Sequence, residues 1–243
     1  MKKTLKKVIL ALSVVLAAGI GIAAYNIYPM LRMTPAPTGS IPDTSIFSVR
    51  NNINAAYFFD TGDGYIMIDA GSDINALETG MKSIGILFDD VKWILLTHSD
   101  SDHVASLPLF PNAEIYVGEN EMALIHAYVK RNFAGYNSLP NGIEAEKLIR
   151  LQDGQELSFA ETVVKCISTP GHTTGSVSYL IDNRYLFTGD AFSVIDGKIG
   201  VHPFTMDKES AKNTIANLSN DITDSDLVIT AHYGYFESSQ LAR

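Results

Sequence analysis

Apolar residues in this chain fall into short runs of strand length, and polar turn chemistry separates them. "SIFSV" (45–49) and "NAAYFFD" (54–60) read as strands, and "TGDG" (61–64) carries the Asp-Gly turn pair. "YIMIDAG" (65–71) is a buried strand that stops at Gly71. A helix is predicted over about 73–84, with Asp73 at its start and Gly85 past its end. "VKWILLT" (91–97) is the next buried strand, "HVASLPLF" (103–110) reads as helical and "AEIYV" (113–117) as a strand. "ENEMALIHAYVKRNF" (119–133) has apolar residues at helical spacing, and 134–147 reads as a loop. Two or three strands fit in 148–168, and "SVSYLI" and "RYLFTG" form a hairpin around Asp182-Asn183. A helix over about 207–219 and "LVIT" (227–230) as a last strand complete the pattern. Strands and helices alternate, but hairpins join several strands, so the class is mixed α/β with antiparallel pairing. No Gly-rich loop of the dinucleotide or P-loop type joins a strand to a helix.

The first 28 residues follow another pattern. Lys2, Lys3, Lys6 and Lys7 precede Val8 to Tyr25, which is apolar apart from Ser13. As a helix this run is about 27 Å long, close to the hydrocarbon thickness. The lysines hold the N-terminus in the cytoplasm and place the rest outside. Residues 1–28 therefore read as a signal anchor, or as a cleaved signal peptide with Gly21-Ile22-Ala23 as a mediocre cleavage site. The expected location is the cell membrane, single-pass, with the globular part outside; the alternative is secretion after cleavage. Residues 29–45, rich in Pro, Thr and Ser, read as a linker, and 46–243 as one catalytic domain.

Composition narrows the partners. The net charge is -9, and without the four N-terminal lysines the chain carries 14 basic against 27 acidic residues. So acidic a body argues against nucleic acid as a partner. A small-molecule substrate fits, and the oligomeric state is left open. Cys166 is the one cysteine, so there is neither an intramolecular disulfide nor a thiolate metal cage. It reads as a small buried strand residue.

The candidate chemistry lies where the apolar runs stop. "WILLT" is followed by His98, Asp100, Asp102 and His103, "VVKCISTPG" by His172, "RYLFTG" by Asp190, and "DLVITA" by His232. A hydrophobic core gives no reason for metal-competent side chains to recur at four strand ends; ligands converging on one sheet edge do. Imidazole and carboxylate without thiolate suit a catalytic zinc, iron or manganese ion. His126, in an amphipathic stretch, and His202, in "GVHPF", read as structural. Asp69 reads as an ordinary turn residue or as a carboxylate supporting a ligand. Tyr233 could turn its hydroxyl into the pocket, and the aromatic and basic stretch 126–147 could overhang it.

"HSDSDH" (98–103), "TPGHTTGS" (169–176), "LFTGDAF" (186–192) and "TAHYG" (230–234) stand in the order of the motifs of the metallo-β-lactamase superfamily, which the chain resembles over about 46–236. The resemblance implies a four-layer αββα sandwich with two divalent metal ions, zinc in the first instance and iron or manganese as alternatives. It implies that His98, Asp100 and His172 hold one ion, that Asp102, His103 and His232 hold the other, and that Asp190 bridges. Asp102 would also orient the attacking water. The departure is Asp100, where the family's HxHxDH has its second histidine. The expected activity is that of a metallo-hydrolase, in which a metal-bound hydroxide attacks an ester, thioester, lactam or phosphoester. The motifs most resemble the glyoxalase II-like and general hydrolase branches. The alternative is a di-iron oxygen-binding or redox protein related to the flavodiiron metal domain, which carries a carboxylate at that motif position.

Overall fold

The structure is a computed structural model that describes residues 27–131 and 139–242. The predicted membrane segment lies almost wholly outside these residues. Among the described residues no helix is long and apolar enough to cross a membrane.

Two sheets dominate. The first contains β1 (Gly39–Ser40), β2 (Ile46–Asn51), β3 (Asn54–Asp60), β4 (Tyr65–Ile68), β5 (Val91–Leu96), β6 (Glu114–Gly118) and β7 (Ile149–Leu151), in that spatial order. Its pairs are antiparallel up to β4 and parallel from there on. The second is built from β8 (Glu156–Phe159), β9 (Thr162–Ser168), β10 (Val177–Ile181) and β11 (Tyr185–Gly189). A ribbon of β12 (Ser193–Ile195) and β13 (Lys198–Gly200) follows. Then β14 (Leu227–Thr230) and β15 (Gly234–Glu237) give the second sheet the order β15-β14-β11-β10-β9-β8. Only β11 and β14 are parallel neighbours in it.

Alternation along the strands explains the layering. Tyr57, Phe59, Ile66, Ile68 and Leu95 of the first sheet pack on Val164, Cys166, Tyr179, Phe187 and Ile229 of the second. The opposite face of the first sheet, with Phe58, Met67, Ile94 and Leu96, is covered by Leu77 and Met81 of the helix Ile74–Ile84. The opposite face of the second, with Leu180, Leu186 and Val228, is covered by Leu218 and Ile222 of the helical segment Ser219–Asp224 and its cap. Helix, sheet, sheet and helix therefore stack in four layers, and central strands such as β10 and β11 are buried on both faces. Direct bonds join the sheets near one edge: Ala55 N–H donates to the Ala231 carbonyl at 2.9 Å, and Val177 N–H to that of Thr97 at 2.9 Å.

Local chemistry matches the elements. Asp73 caps Ile74–Ile84 by accepting from Ala76 N–H, and Gly85 ends the helix in the left-handed region. Asp182 and Asn183, both with positive φ, are the central residues of the turn between β10 and β11, which Arg184 N–H closes by donating to the Ile181 carbonyl at 3.0 Å. Cys166 is buried between the sheets, and burial pushes its thiol up to about 12. Residues 29–45, read as a linker, contribute β1 to the first sheet and bury Ala36 and Ile41.

Three elements differ from the pattern. Within 119–131, the described part of the helix predicted over 119–133, one helical turn forms, Met122–Ile125, after a 3-10 turn, because Ala127 takes a φ of +57° and turns the chain. "HVASLPLF" breaks into the short helix Ser101–Val104 and a 3-10 turn at Leu107–Leu109, with Pro108 at its start. "LVIT" is not the last strand, since β15 returns three residues later and pairs antiparallel with it.

Candidate metal centre

Strand polarity brings the site together. β4 and β5 run parallel in one sheet and β11 and β14 in the other, so their C-terminal ends meet at one edge of the sandwich. Asp69 follows β4, His98 to His103 follow β5, Asp190 follows β11 and His232 follows β14. His172 reaches the same edge from the loop after β9. All seven residues predicted as ligands are thus in one cluster. Asp190 is its centre: its carboxylate lies 3.2 Å from His232 Nε2, 3.3 Å from His172 Nε2, 3.6 Å from His103 Nε2 and 4.0 Å from His98 Nε2. Asp100 Oδ2 stands 3.2 Å from His172 Nε2 and 3.5 Å from His98 Nε2. Asp102 Oδ2 stands 3.7 Å from His103 Nε2 and 3.5 Å from His232 Nε2. Donor atoms of His98, Asp100 and His172 form one compact triad, and those of Asp102, His103 and His232 another.

The rings of His98, His103 and His232 are each aimed by the other nitrogen. His103 Nδ1 bonds to Asp69 Oδ2 at 2.8 Å, His232 Nδ1 to the Ile53 carbonyl at 2.7 Å, and His98 Nδ1 to Thr97 Oγ1 at 3.0 Å. The Thr97 hydroxyl donates in turn to Asp69 Oδ2 at 2.8 Å, and Thr97 N–H donates to Asp69 Oδ1. It therefore accepts from His98 Nδ1–H, and all three rings present an Nε2 lone pair to the centre. Asp69 is the support carboxylate, not an ordinary turn residue. Gly189, with φ +52°, lets β11 turn into Asp190, and a Cβ there would lie 2.4 Å from Thr97 Oγ1. Gly189→Ala should cost more than about 2 kcal/mol, from the left-handed backbone and the overlap together. Thermal melting of the variant checks this; an unchanged midpoint would count against the tight approach.

The loops are tied from behind by a carboxylate that sequence reading missed. Glu121 is fully buried and accepts from Ser99 N–H at 2.8 Å, the Ser99 hydroxyl at 2.7 Å and the Thr173 hydroxyl at 2.6 Å. Ser99 stands between His98 and Asp100, and Thr173 follows His172.

The donor set fits a cation. His98 Nε2, His103 Nε2 and Asp190 Oδ1 are buried without a hydrogen-bond partner, an arrangement that is costly unless something positive takes their lone pairs. Burial alone would raise the Asp190 carboxyl, but His202, His232, His103 and His172 outweigh it and hold it well below the usual range. Burial likewise opposes a charge on His103, yet Asp69, Asp102 and Asp190 raise it well above an ordinary histidine. The nitrogen–oxygen gaps of 3.2–3.7 Å match the roughly 3.3 Å between two ligands about 2.0–2.1 Å from one tetrahedral ion.

Two further residues enter the site. His202, read as structural, is buried with Nδ1 3.6 Å from Asp190 Oδ2, and its ring packs against His172 and His232. It follows β13, a three-residue strand without the apolar run that marks the other residues of the cluster. Arg131, from the stretch that could overhang the pocket, is buried against Asp100. His126 stays outside, beside Tyr128. The Tyr233 hydroxyl turns away from the centre to the Pro29 carbonyl at 3.2 Å. The cluster opens into a cavity of about 110 Å³ with Met30, Met33, Ile53 and Phe204 in its wall.

Residues 50–232 match the family model of the metallo-beta-lactamase superfamily. The chain belongs to that superfamily. Among similar proteins, the glyoxylase B2 of Dictyostelium discoideum is 32% identical over 110 residues, covering 43% of this chain and 37% of that protein. A probable polyketide biosynthesis zinc-dependent hydrolase, PksB, of Bacillus subtilis (strain 168) is 31% identical over 128 residues, covering 51% of this chain and 48% of that protein. The chain thus spans less than two thirds of these relatives' lengths. In fold, it resembles the subclass B3 metallo-beta-lactamase BJP-1 of Bradyrhizobium japonicum, with a TM-score of 0.65 at 17% identity over 84% of this chain and 80% of that one.

Proposed function

We propose that the chain is a metal-dependent hydrolase, with zinc as its working ion, acting on an ester, thioester, lactam or phosphoester. The observation that carries this is the set of buried imidazole Nε2 atoms of His98, His103 and His232, each aimed by a bond from its Nδ1, around the single carboxylate of Asp190. Relatives named as a zinc-dependent hydrolase and a glyoxylase support the reaction class. His98, Asp100 and His172 form one candidate ligand set and Asp102, His103 and His232 the other, with Asp190 facing both. A divalent cation at such donors supplies a hydroxide nucleophile at neutral pH and a Lewis acid for the substrate oxygen. Asp102 is the carboxylate placed to orient the water and take its proton, because it is the more open of the acids, its side chain 19% exposed against 4% for Asp190. The Asn54 amide donates to the Asp102 carbonyl and holds that residue's backbone. The test is metal analysis of the purified chain with a panel of chromogenic esters, thioesters, phosphodiesters and a cephalosporin. No bound metal and no turnover on any of them would overturn the reading.

The cavity wall narrows the substrate. Ile53 and Phe204 are exposed beside the centre, 54% and 40%. Phe204 holds a φ of +61°, a conformation that a bulky side chain adopts only under constraint. These side chains support a substrate whose group next to the scissile bond is apolar. Across a series of acyl esters, kcat/KM should rise about fourfold per added methylene, from roughly 0.8 kcal/mol of burial each, until the cavity is full. Phe204→Ser should flatten the series. Equal rates for acetyl and hexanoyl esters would sink the assignment.

A further inference from the structure

The two ligand triads are not equivalent. Arg131 lies just past the one-turn helix Met122–Ile125, and its side chain is buried, 3% exposed. One terminal nitrogen stands 2.5 Å from Asp100 Oδ2 and 3.3 Å from His172 Nε2, and the other donates to the His172 carbonyl. A single guanidinium nitrogen thus meets two of the three donors of the His98–Asp100–His172 triad. It meets Asp100 at Oδ2, the same oxygen that faces His98 and His172. An imidazole Nε2 has one lone pair, so His172 cannot accept from Arg131 and ligate a metal at once. Arginine stays charged at every working pH and pairs with carboxylates in a fixed fork.

From this, and resting on the metallo-hydrolase reading, we infer that Arg131 is the resident cation of the His98–Asp100–His172 position, and that one metal ion per chain is held tightly, by Asp102, His103, His232 and Asp190. The charges agree. Asp100 and Arg131 neutralise one another in the first position, whereas the second has two carboxylates, Asp102 and Asp190, and no arginine or lysine in contact among the described ion pairs. The pairing also explains the departure from the family motif. A histidine at position 100 would offer the guanidinium no counter-charge; aspartate does. Arg131 also lines the cavity, so the ion pair forms part of its wall.

The test is zinc content of the full chain, loaded with excess zinc and then equilibrated against a chelator that strips weakly held ions. The wild-type chain should keep one ion. Arg131→Met, which removes the charge at similar length, should keep two, and Arg131→Lys, which restores a cation, should return to one. Cobalt loading gives a second readout: visible absorbance should saturate at one equivalent in the wild type and at two in R131M. Two tightly held ions in the wild type, or one in a folded R131M, would overturn the inference and leave the hydrolase reading in place. No ion in any form would sink both. If R131M does not fold, the histidines decide: His172→Ala should keep the single ion and His232→Ala should lose it, and the reverse result overturns the assignment.

Discussion

Asparagine in place of Asp190 should strip the chain of tightly held metal and lower hydrolysis about a thousandfold, with the far-UV circular dichroism unchanged. The substitution is isosteric, so the strand end after β11 and its turn at Gly189 are preserved. What goes is the one negative charge that faces His98, His103, His172, His202 and His232 together. An amide also turns a donor towards lone pairs that need a cation. Metal catalysis contributes several kcal/mol to such a reaction, and about 4 kcal/mol is a thousandfold in rate. Metal content and kcat measured side by side check the result. A variant with full zinc and a rate within tenfold of the parent would show that Asp190 only organises the histidines.

The strand-end pattern made most of this site legible. Buried strands announce themselves as apolar runs, and a polar ligand immediately after one is conspicuous against them. Asp69 was half legible, because a turn residue and a support carboxylate look alike until His103 Nδ1 is seen 2.8 Å away. His202 was hidden because the β12–β13 ribbon before it is short and only partly buried. Arg131 was hidden by a misleading period. The apolar spacing of 119–133 suits a helix, which would have carried the residue along its axis, whereas the turn at Ala127 folds the chain back and delivers the guanidinium to Asp100. Asp100 itself was visible as a departure but not as one half of a pair, since its partner is 31 residues away. Read without that partner it suggests a hard ligand for iron or manganese; with it, the carboxylate has a guanidinium to balance.

Glu121→Ala should be the most damaging substitution outside the ligand set, destabilising the chain by about 4 kcal/mol. Glu121 has no exposure, and its removal leaves the Ser99 N–H, the Ser99 hydroxyl and the Thr173 hydroxyl with a cavity in place of an acceptor. Each buried group left without its partner costs about 1–3 kcal/mol, although the Thr173 hydroxyl keeps its contact with Ser176 Oγ at 2.7 Å. For a domain of this size that is a fall of about 10 °C in melting midpoint. Activity should fall further than the folded fraction explains, because the same carboxylate joins the loop carrying His98 and Asp100 to the loop carrying His172. Glu121→Gln should recover part of the stability, since its one remaining oxygen can still accept from Ser99. The comparison of melting midpoint with kcat at a temperature where both variants are folded separates the two effects. A kcat equal to the parent's in folded Glu121→Ala would make Glu121 a stability residue alone and remove it from the positioning of the metal centre.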